Sequence, residues 1–293
     1  MSETAEVRQA DTVERLAAFV ARYPRLAVVT GAGVSTDSGI PDYRDASGDW
    51  KCTPPMQHRE FMSRHGARQR YWARALVGFR ALQQARPGAA HRALAELEAQ
   101  GVVSGIITQN VDGLHQQAGS RRVVELHGRA DLVRCMACGA RRMRHDFHAE
   151  LAACNPHWQG VDAAAAPLRP DGDADLEGAF ADFQVPDCER CGRGIYKPDV
   201  VFFGDSVPAA RVAQAMAMVE AADALLVAGS SLMVYSGYRF ARAAARAGKP
   251  LVCVNRGRTR ADALYALKLE ASAGETLGAL AAALRGAAPA AGR

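Results

Sequence analysis

RLAVVTGAGVSTDSGIP occupies residues 25–41. It opens on an apolar run without polar alternation, passes through Gly31, Ala32 and Gly33, and continues into a polar segment. An apolar run of this kind reads as a strand buried on both faces, as in a parallel sheet covered by helices. Small residues directly after the strand let backbone N–H groups approach a pyrophosphate at the start of a helix. A tight strand-to-helix turn with no ligand uses the same residues. Hydride-transferring dehydrogenases ask for a third glycine three residues after Gly33, and that position holds Thr36. They also place an acidic residue at the end of a second strand, about 20 residues on. No such residue stands out here, so that class is disfavoured. The following STDSGIPDYR (35–44) is too polar for a core helix and offers Pro41, Asp42, Tyr43 and Arg44 as ligand contacts.

The same alternation of elements extends in both directions. DTVERLAAFVARY (11–23) predicts an amphipathic helix, with Asp11 and Glu14 spaced as a capping box. PGAAHRALAELEAQG (87–101) predicts a helix stopped by Gly101, and VVSGIITQN (102–110) a strand ending in polar residues. Further on, helices are predicted near 208–221, 237–247 and 275–285, with strands over 223–231 and 249–255. The fold class is therefore α/β, a parallel sheet with helices on both faces. The alternation breaks at 44–86, which holds aromatics such as RQRYWARALVGF but no convincing strand, and at 131–194. Both segments read as insertions into one domain. The terminal GAAPAAGR is expected to fray.

Composition bounds the class. Apolar residues make up 49% and charged residues 23%, enough to bury a globular core. The net charge of +5 is spread along the chain, and RRMR (141–144) is its densest basic run. Nucleic acid is therefore not the expected partner. No apolar run reaches the roughly 18–20 residues that span a bilayer. The N-terminus lacks the apolar stretch of a signal peptide. The chain is expected to work in the cytoplasm as a monomer. Seven cysteines are an odd number, and a reducing compartment disfavours disulfides. Cys52, Cys154 and Cys253 read as small apolar residues.

IITQNVDGLH (106–115) sets Gln109, Asn110, Asp112 and His115 just past an apolar strand. Ligands bind outside the carboxyl ends of strands in open parallel sheets. Amide and carboxylate side chains suit ribose hydroxyls and a carboxamide. A polar loop with Asx turns accounts for the same residues. VVELHG (123–128) puts His127 at the end of another β-like run, where it is either structural or, with a pKa near 6.5, a general base.

Cys135 and Cys138, then Cys188 and Cys191, form C-x₂-C…C-x₂-C, each pair followed by glycine. This pattern predicts a tetrahedral four-cysteine zinc site. Four thiolates leave no open position, so the metal is expected to be structural. The 49 intervening residues exceed the usual spacing and imply a looped-out insert. A rival set uses Cys135, Cys138, His145 and His148 but leaves the second pair unexplained.

In order, GAGVSTDSGIPDYR, TQNVDGLH, ELHG, two cysteine pairs, KPDVVFFGD, AGSSLMVYS and VNRG run from residue 31 to 257. Together they resemble the sirtuin family. RQRYWAR, AGSRR, the long inter-cysteine insert, FQVP and SLMVYSGYRF are similar to the class II members, which include the mitochondrial lipoamidase/ADP-ribosyltransferase type. The resemblance implies a Rossmann-like NAD-binding domain over 1–130 and 195–293, carrying the helical insertion of about 44–86. It also implies a small zinc domain over 131–194, with one structural zinc, and NAD bound between the two as a co-substrate.

The implied reaction moves the acyl group of a protein acyl-lysine to ADP-ribose and releases nicotinamide. By motif, Gly31, Ala32, Gly33 and Ser35 line the phosphates and the adenosine side. Pro41, Asp42, Tyr43 and Arg44 lie on the cofactor loop, where family members often have Phe in place of Tyr43. Ile40 and Asp112 hold the carboxamide, while Gln109 and Asn110 contact the ribose. Gly229, Ser230 and Ser231 take phosphate or ribose; Asn255, Arg256, Gly257 and Ala273 border the adenosine. His127 would be the general base, with Asn110 and Asp112 beside it. The β-prone segments VVFFGD and SLMVYS supply Val201, Phe202, Gly204, Met233 and Val234 to flank an acyl-lysine peptide as an added strand. As plain core strands they would need no such role.

Tyr71 and Arg74 have a spacing that puts both on one helix face. Family members that prefer succinyl or glutaryl lysine carry a similar pair in the acyl pocket. Arg74 would then bind an acyl carboxylate; as a solvated helix charge it would not. Mono-ADP-ribosylation of protein shares the same NAD site. A non-enzymatic NAD or zinc interaction protein is the third reading, supported by the basic run at 141–144.

Overall fold

The computed structural model describes residues 3–51, 55–158 and 180–287. The chain opens with α1 (Glu3–Arg22), β1 (Leu26–Thr30), α2 (His58–Ser63), α3 (His65–Gln84) and α4 (Ala89–Ala99). It continues through β2 (Val103–Thr108), α5 (Leu114–Gln117), β3 (Val123–Glu125), β4 (Gly128–Cys135), β5 (Arg141–Met143) and α6 (Arg144–Cys154). It ends with β6 (Tyr196–Val200), α7 (Ala209–Ala221), β7 (Ala224–Ala228), α8 (Tyr235–Arg246), β8 (Leu251–Val254), β9 (Leu267–Leu269) and α9 (Ala273–Ala287).

Six strands form one parallel sheet in the order β3-β2-β1-β7-β8-β9. β1 is buried along its whole length because both faces are covered. Leu26 and Val28 face a core shared with Leu16, Leu94, Leu97 and Leu277 of α1, α4 and α9. Ala27 and Val29 face the opposite core, with Val219 and Phe240 of α7 and α8. Each fully buried aliphatic side chain contributes about 1.5–3 kcal/mol, so this two-sided burial fixes the sheet centre. The chain leaves β1 in one direction to form β2 and β3 and returns on the other side to form β7, β8 and β9. The order therefore reverses between β1 and β7, and a crevice opens beyond their carboxyl ends.

A second, antiparallel sheet has the order β5-β4-β6. Its core joins Phe147, Leu151, Phe183 and Tyr196 to Phe61, Tyr71 and Trp72 of α2 and α3. The helical insertion and the cysteine-bearing segment thus bury their apolar faces against one another.

Several elements differ from the sequence expectation. α1 begins at Glu3, so Asp11 lies within the helix, where it pairs with Arg15 at 3.8 Å and caps nothing. No α-helix starts after the glycine loop; two short 3-10 turns, Ala32–Val34 and Thr36–Ser38, stand there. Gly39 at φ +82° and Pro41 end the second turn before a helix can propagate. VVFFGD and SLMVYS do not take the alternative reading as core strands: β6 stops at Val200, and residues 231–234 are irregular chain leading into α8. Residues 159–179 of the insert between the cysteine pairs and most of the terminal GAAPAAGR lie outside the described residues, as does Cys52. No described helix is long and apolar enough to cross a membrane.

Candidate active site and metal centre

The loop after β1 approaches the loop after β7 so closely that no side chain fits between them. A Cβ on Gly31 would lie 2.8 Å from Ser230 Oγ, and one on Gly229 would lie 2.5 Å from Val34 N. Gly33 N donates to Gly229 O at 2.9 Å, which fastens the two loops together. Ser230 Oγ accepts from Leu232 N at 3.2 Å, and Leu232, at φ 52°, is the one described non-glycine residue in the left-handed region. Such a conformation costs a leucine about 1–2 kcal/mol, which the surrounding contacts offset.

Beyond β2 a chain of polar groups closes on this cradle. Asn110 Nδ2 donates to Gly31 O at 3.1 Å and to Ser35 Oγ at 2.9 Å. Ser35 Oγ donates to Asp112 Oδ2 at 2.7 Å, and Leu114 N donates to Asp112 Oδ1 at 2.9 Å. Gln109 Nε2 donates to Thr30 O and, at 2.8 Å, to Ser230 Oγ. Asn110 and Asp112 are thus joined through Ser35, while Gln109 is tied separately to the ends of β1 and β7. His115, grouped with them from sequence, points away: it is buried against Thr30 Oγ1 at 3.0 Å, and burial pushes its pKa down to about 3, with the His91 charge adding to this.

His127 follows β3 directly and is fixed at both nitrogens. Nδ1 lies 2.8 Å from Gln109 O, a pure acceptor, so Nδ1 carries the proton and donates it. Nε2 is then the lone-pair nitrogen, and it accepts from Ser236 Oγ at 2.8 Å. Burial lowers the His127 pKa and the Arg211 and Arg239 charges lower it further, while the bond to Gln109 opposes them. The imidazole is thus neutral at pH 7 with its basic nitrogen defined, as a general base requires.

These groups border a cleft of about 720 Å³. Its walls include Gly31, Ala32, Gly33, Ser35, Ile40, Asp42, Tyr43, Arg44, Gln109, Asn110, Asp112 and His127. They also include Gly229, Ser230, Ser231, Asn255, Arg256 and Ala273, with Tyr71, Val201, Phe202, Met233 and Val234. Pro41, Gly204 and Gly257 are not among the lining residues. Gly257 instead packs the loop after β8 on the segment after Arg44, where its added Cβ would lie 2.5 Å from Ala46 O. The cofactor loop is held by Tyr43, Trp50 and Phe203, with ring centroids 5.5–6.3 Å apart, and by Arg44 4.0 Å over Trp50.

Tyr71 and Arg74 do not share a wall. Arg74 is absent from the lining and lies 6.0 Å from the Phe180 ring. Arg144 of α6 lines the cleft instead. Sequence reasoning missed Arg144, Ser236, Trp50 and Phe203. For Ser236 the pattern held no signal, because SLMVYS read as a strand.

The sulfurs of Cys135, Cys138, Cys188 and Cys191 lie within 4.8 Å of one another. Cys135 and Cys191, and likewise Cys138 and Cys188, are 3.8 Å apart. A tetrahedron with Zn–S of about 2.3 Å needs S–S separations of about 3.8 Å. The four residues therefore fit one structural zinc. Gly139 and Gly192 take φ +74° and +69° directly after each pair, which bends both knuckles inward. The rival set does not form, since His148 Nε2 accepts from Arg144 Nε and His145 pairs with Asp146.

Comparison with known proteins agrees with this geometry. Residues 31–236 match the Sir2 family. A protein from Bradyrhizobium diazoefficiens named NAD-dependent protein deacetylase 2 is 58% identical over 253 residues, 86% of this chain and 91% of its own. An NAD-dependent protein deacetylase of Bordetella bronchiseptica is 56% identical over 90% of this chain and 96% of its own. Among solved structures, a Sir2 homologue in complex with ADP-ribose aligns with a TM-score of 0.74 at 30% identity, covering 94% of this chain and 97% of its own. A Sir2 mutant bound to a p53 peptide and NAD aligns at 0.73 and 28%, covering 93% and 98%. The chain belongs to the sirtuin, or Sir2, family.

Proposed function

We propose that the protein is an NAD-dependent protein-lysine deacylase. The observation that carries this reading is the His127 imidazole, whose free-base nitrogen is defined by Gln109 O and which borders the same cleft as the Gly31–Gly229 cradle. NAD, when bound, supplies the ADP-ribose that receives the acyl group and the nicotinamide that leaves. Backbone N–H groups around Gly31 and Gly33, with Ser230 and Ser231, would hold its phosphates. Asn110 and Asp112, tied through Ser35, would orient ribose and carboxamide, and Ile40 would supply an apolar wall. Asn255, Arg256 and Ala273 would border the adenosine. His127 Nε2 would take the proton of a ribose hydroxyl, and Gln109 would keep the imidazolium oriented while it carries the charge. No side-chain nucleophile is needed, because ribose oxygen attacks the acyl carbon.

The substrate is read as an acylated lysine in a protein, with Val201, Phe202, Met233 and Val234 along its path. The four cysteines would hold zinc away from the reacting atoms, so the metal braces the fold and takes no part in bond making. Deacylation beyond acetyl, and kinship with the class II lipoamidase type, are part of this proposal. The test is nicotinamide release with and without an acetyl-lysine peptide, with products weighed by mass spectrometry. Peptide-dependent release with O-acetyl-ADP-ribose is expected. Release with ADP-ribose attached to protein and no deacylated peptide would replace this reading by mono-ADP-ribosylation.

A further inference from the structure

We propose that Arg144 is the acyl-reading residue of this cleft: its guanidinium receives the distal carboxylate of a dicarboxylic acyl group on the substrate lysine. The inference rests on the deacylase reading above.

The basic run 141–144 divides on folding. Arg141 pairs with Asp199 at 2.9 Å, and Arg142 with Glu150 at 2.7 Å. Arg144, the first residue of α6, is 1% exposed. Burying a guanidinium is costly unless its charge and its donors are met. Part of that demand is met. Nε donates to His148 Nε2 at 3.1 Å, and Nη1 donates to Ala130 O at 3.2 Å. Cζ lies 4.0 Å from the Phe79 ring centroid and 5.5 Å from that of Trp72. His148 is held neutral by burial and then by the Arg144 charge, so it accepts a proton bond without cancelling that charge.

What remains is specific. Among the described residues no acid is found paired with Arg144, whose bonds go to His148 and Ala130 O, and Nη2 is buried without a hydrogen-bond partner. Arg144 also borders the cleft, beside Tyr71, Ala130 and Val200. With Nε and Nη1 engaged and the guanidinium over Phe79, Nη2 is the one nitrogen of this cleft-lining residue without a partner, and a ligand reaching it would have to enter the wall itself. The surrounding wall is apolar, so a single unpaired cation dominates its chemistry. A carboxylate answers both the charge and the free donor, whereas a methyl group answers neither. The phosphates of a dinucleotide are assigned elsewhere, to the ends of β1 and β7 in the large sheet. Arg144 belongs to α6, which packs with the small sheet and α3.

The test compares kcat/KM on one peptide carrying succinyl- or glutaryl-lysine against the corresponding neutral terminal carboxamides, using zinc-loaded wild type, Arg144→Gln, Arg144→Lys and Arg74→Gln. Zinc content and melting are checked for each. Wild type should prefer the acid over its carboxamide by at least about tenfold, the usual weight of a hydrogen bond to a charged group. Arg144→Gln should erase that ratio, Arg144→Lys should keep part of it, and Arg74→Gln should leave it intact. No acid preference in wild type, a ratio that survives Arg144→Gln, or one abolished by Arg74→Gln overturns the assignment. If Arg144→Gln does not fold, the wild-type ratio and its fall in Arg144→Lys decide alone. Failure of wild type to cleave any acyl-lysine peptide sinks the deacylase reading itself, and Arg144's role with it.

Discussion

Ser236 Oγ stands 2.8 Å from His127 Nε2, so the nitrogen to which the proposed mechanism assigns the ribose proton already accepts a hydrogen bond from the second residue of α8. A ribose hydroxyl has to replace or share that bond. Ser236 donates to the neutral imidazole and therefore favours the unprotonated base. Removing it with Ser236→Ala should raise the His127 pKa. His127 is active when unprotonated, so activity is lost as pH falls through that pKa. The acid limb of the kcat/KM profile should move to higher pH, with a fall of a few-fold below neutrality, the weight of one hydrogen bond. An unmoved limb would make the contact incidental.

His127→Ala removes the base itself. General-base catalysis is worth about 10²–10⁴-fold, and the deacylation rate should drop by at least the lower figure. Melting and zinc content should stay near wild type, because the imidazole anchors only Gln109 O and Ser236 Oγ. Near-normal turnover in a folded variant contradicts the assignment.

His115 and His148 set an acid limit on stability. Burial keeps them neutral in the fold down to about pH 3 and about 2. In the unfolded chain both take a proton near pH 6.5. The unfolded state thus binds more protons below that value, and each histidine removes about 1.4 kcal/mol of stability per pH unit. Stability is full above about pH 6.5 and should fall by on the order of 4 kcal/mol by pH 5 from these two residues. Urea midpoints at pH 7.5, 6 and 5 check this; equal midpoints refute it.

Gly229→Ala places a methyl group 2.5 Å from Val34 N in a residue at φ 55°. The loop after β7 must retreat from the loop after β1. NAD affinity should weaken at least tenfold, and stability should drop by about 1–3 kcal/mol. Calorimetric titration with NAD measures the first, and a binding constant equal to wild type excludes the cradle from phosphate binding.

Chelation should release one zinc per chain, with loss of the small sheet's protection in hydrogen exchange and of nicotinamide release. Cys138→Ser should retain little metal. Full activity in metal-free protein would separate the four-cysteine cluster from catalysis.

The central strands were legible because LAVVT and ALLVA show no apolar/polar alternation, only Thr30 at the end of the first being polar, a pattern that suits strands covered on both faces. The same run of residues left the glycine loop readable, yet TDSG followed by Pro41 stops the helix it seemed to begin. SLMVYS misled because β propensity sees Leu232 and Val234 but not the left-handed turn that Ser230 holds in place. In the sequence Arg144 is only one member of the basic run 141–144, and the packing of Phe79, Trp72 and His148 around it is what reveals a buried cation. Spacing put Arg74 on the Tyr71 face, but α3 turns it toward Phe180. Motif order survives in sequence; the partner across a cleft does not.

β4 starts at Gly128, the residue after His127, and ends at Cys135, a sulfur donor. Eight residues of strand span about 24 Å. Its neighbour β6 begins near the second cysteine pair and hands over to Val201, whose N–H donates to His127 O at 2.7 Å. One pair of strands thus connects the four-cysteine cluster to the backbone of His127, with a break in register between Gly128 and Val133. Whatever disturbs the cysteine cluster is therefore felt at the His127 backbone, because the strand that ends in Cys135 begins one residue after that imidazole.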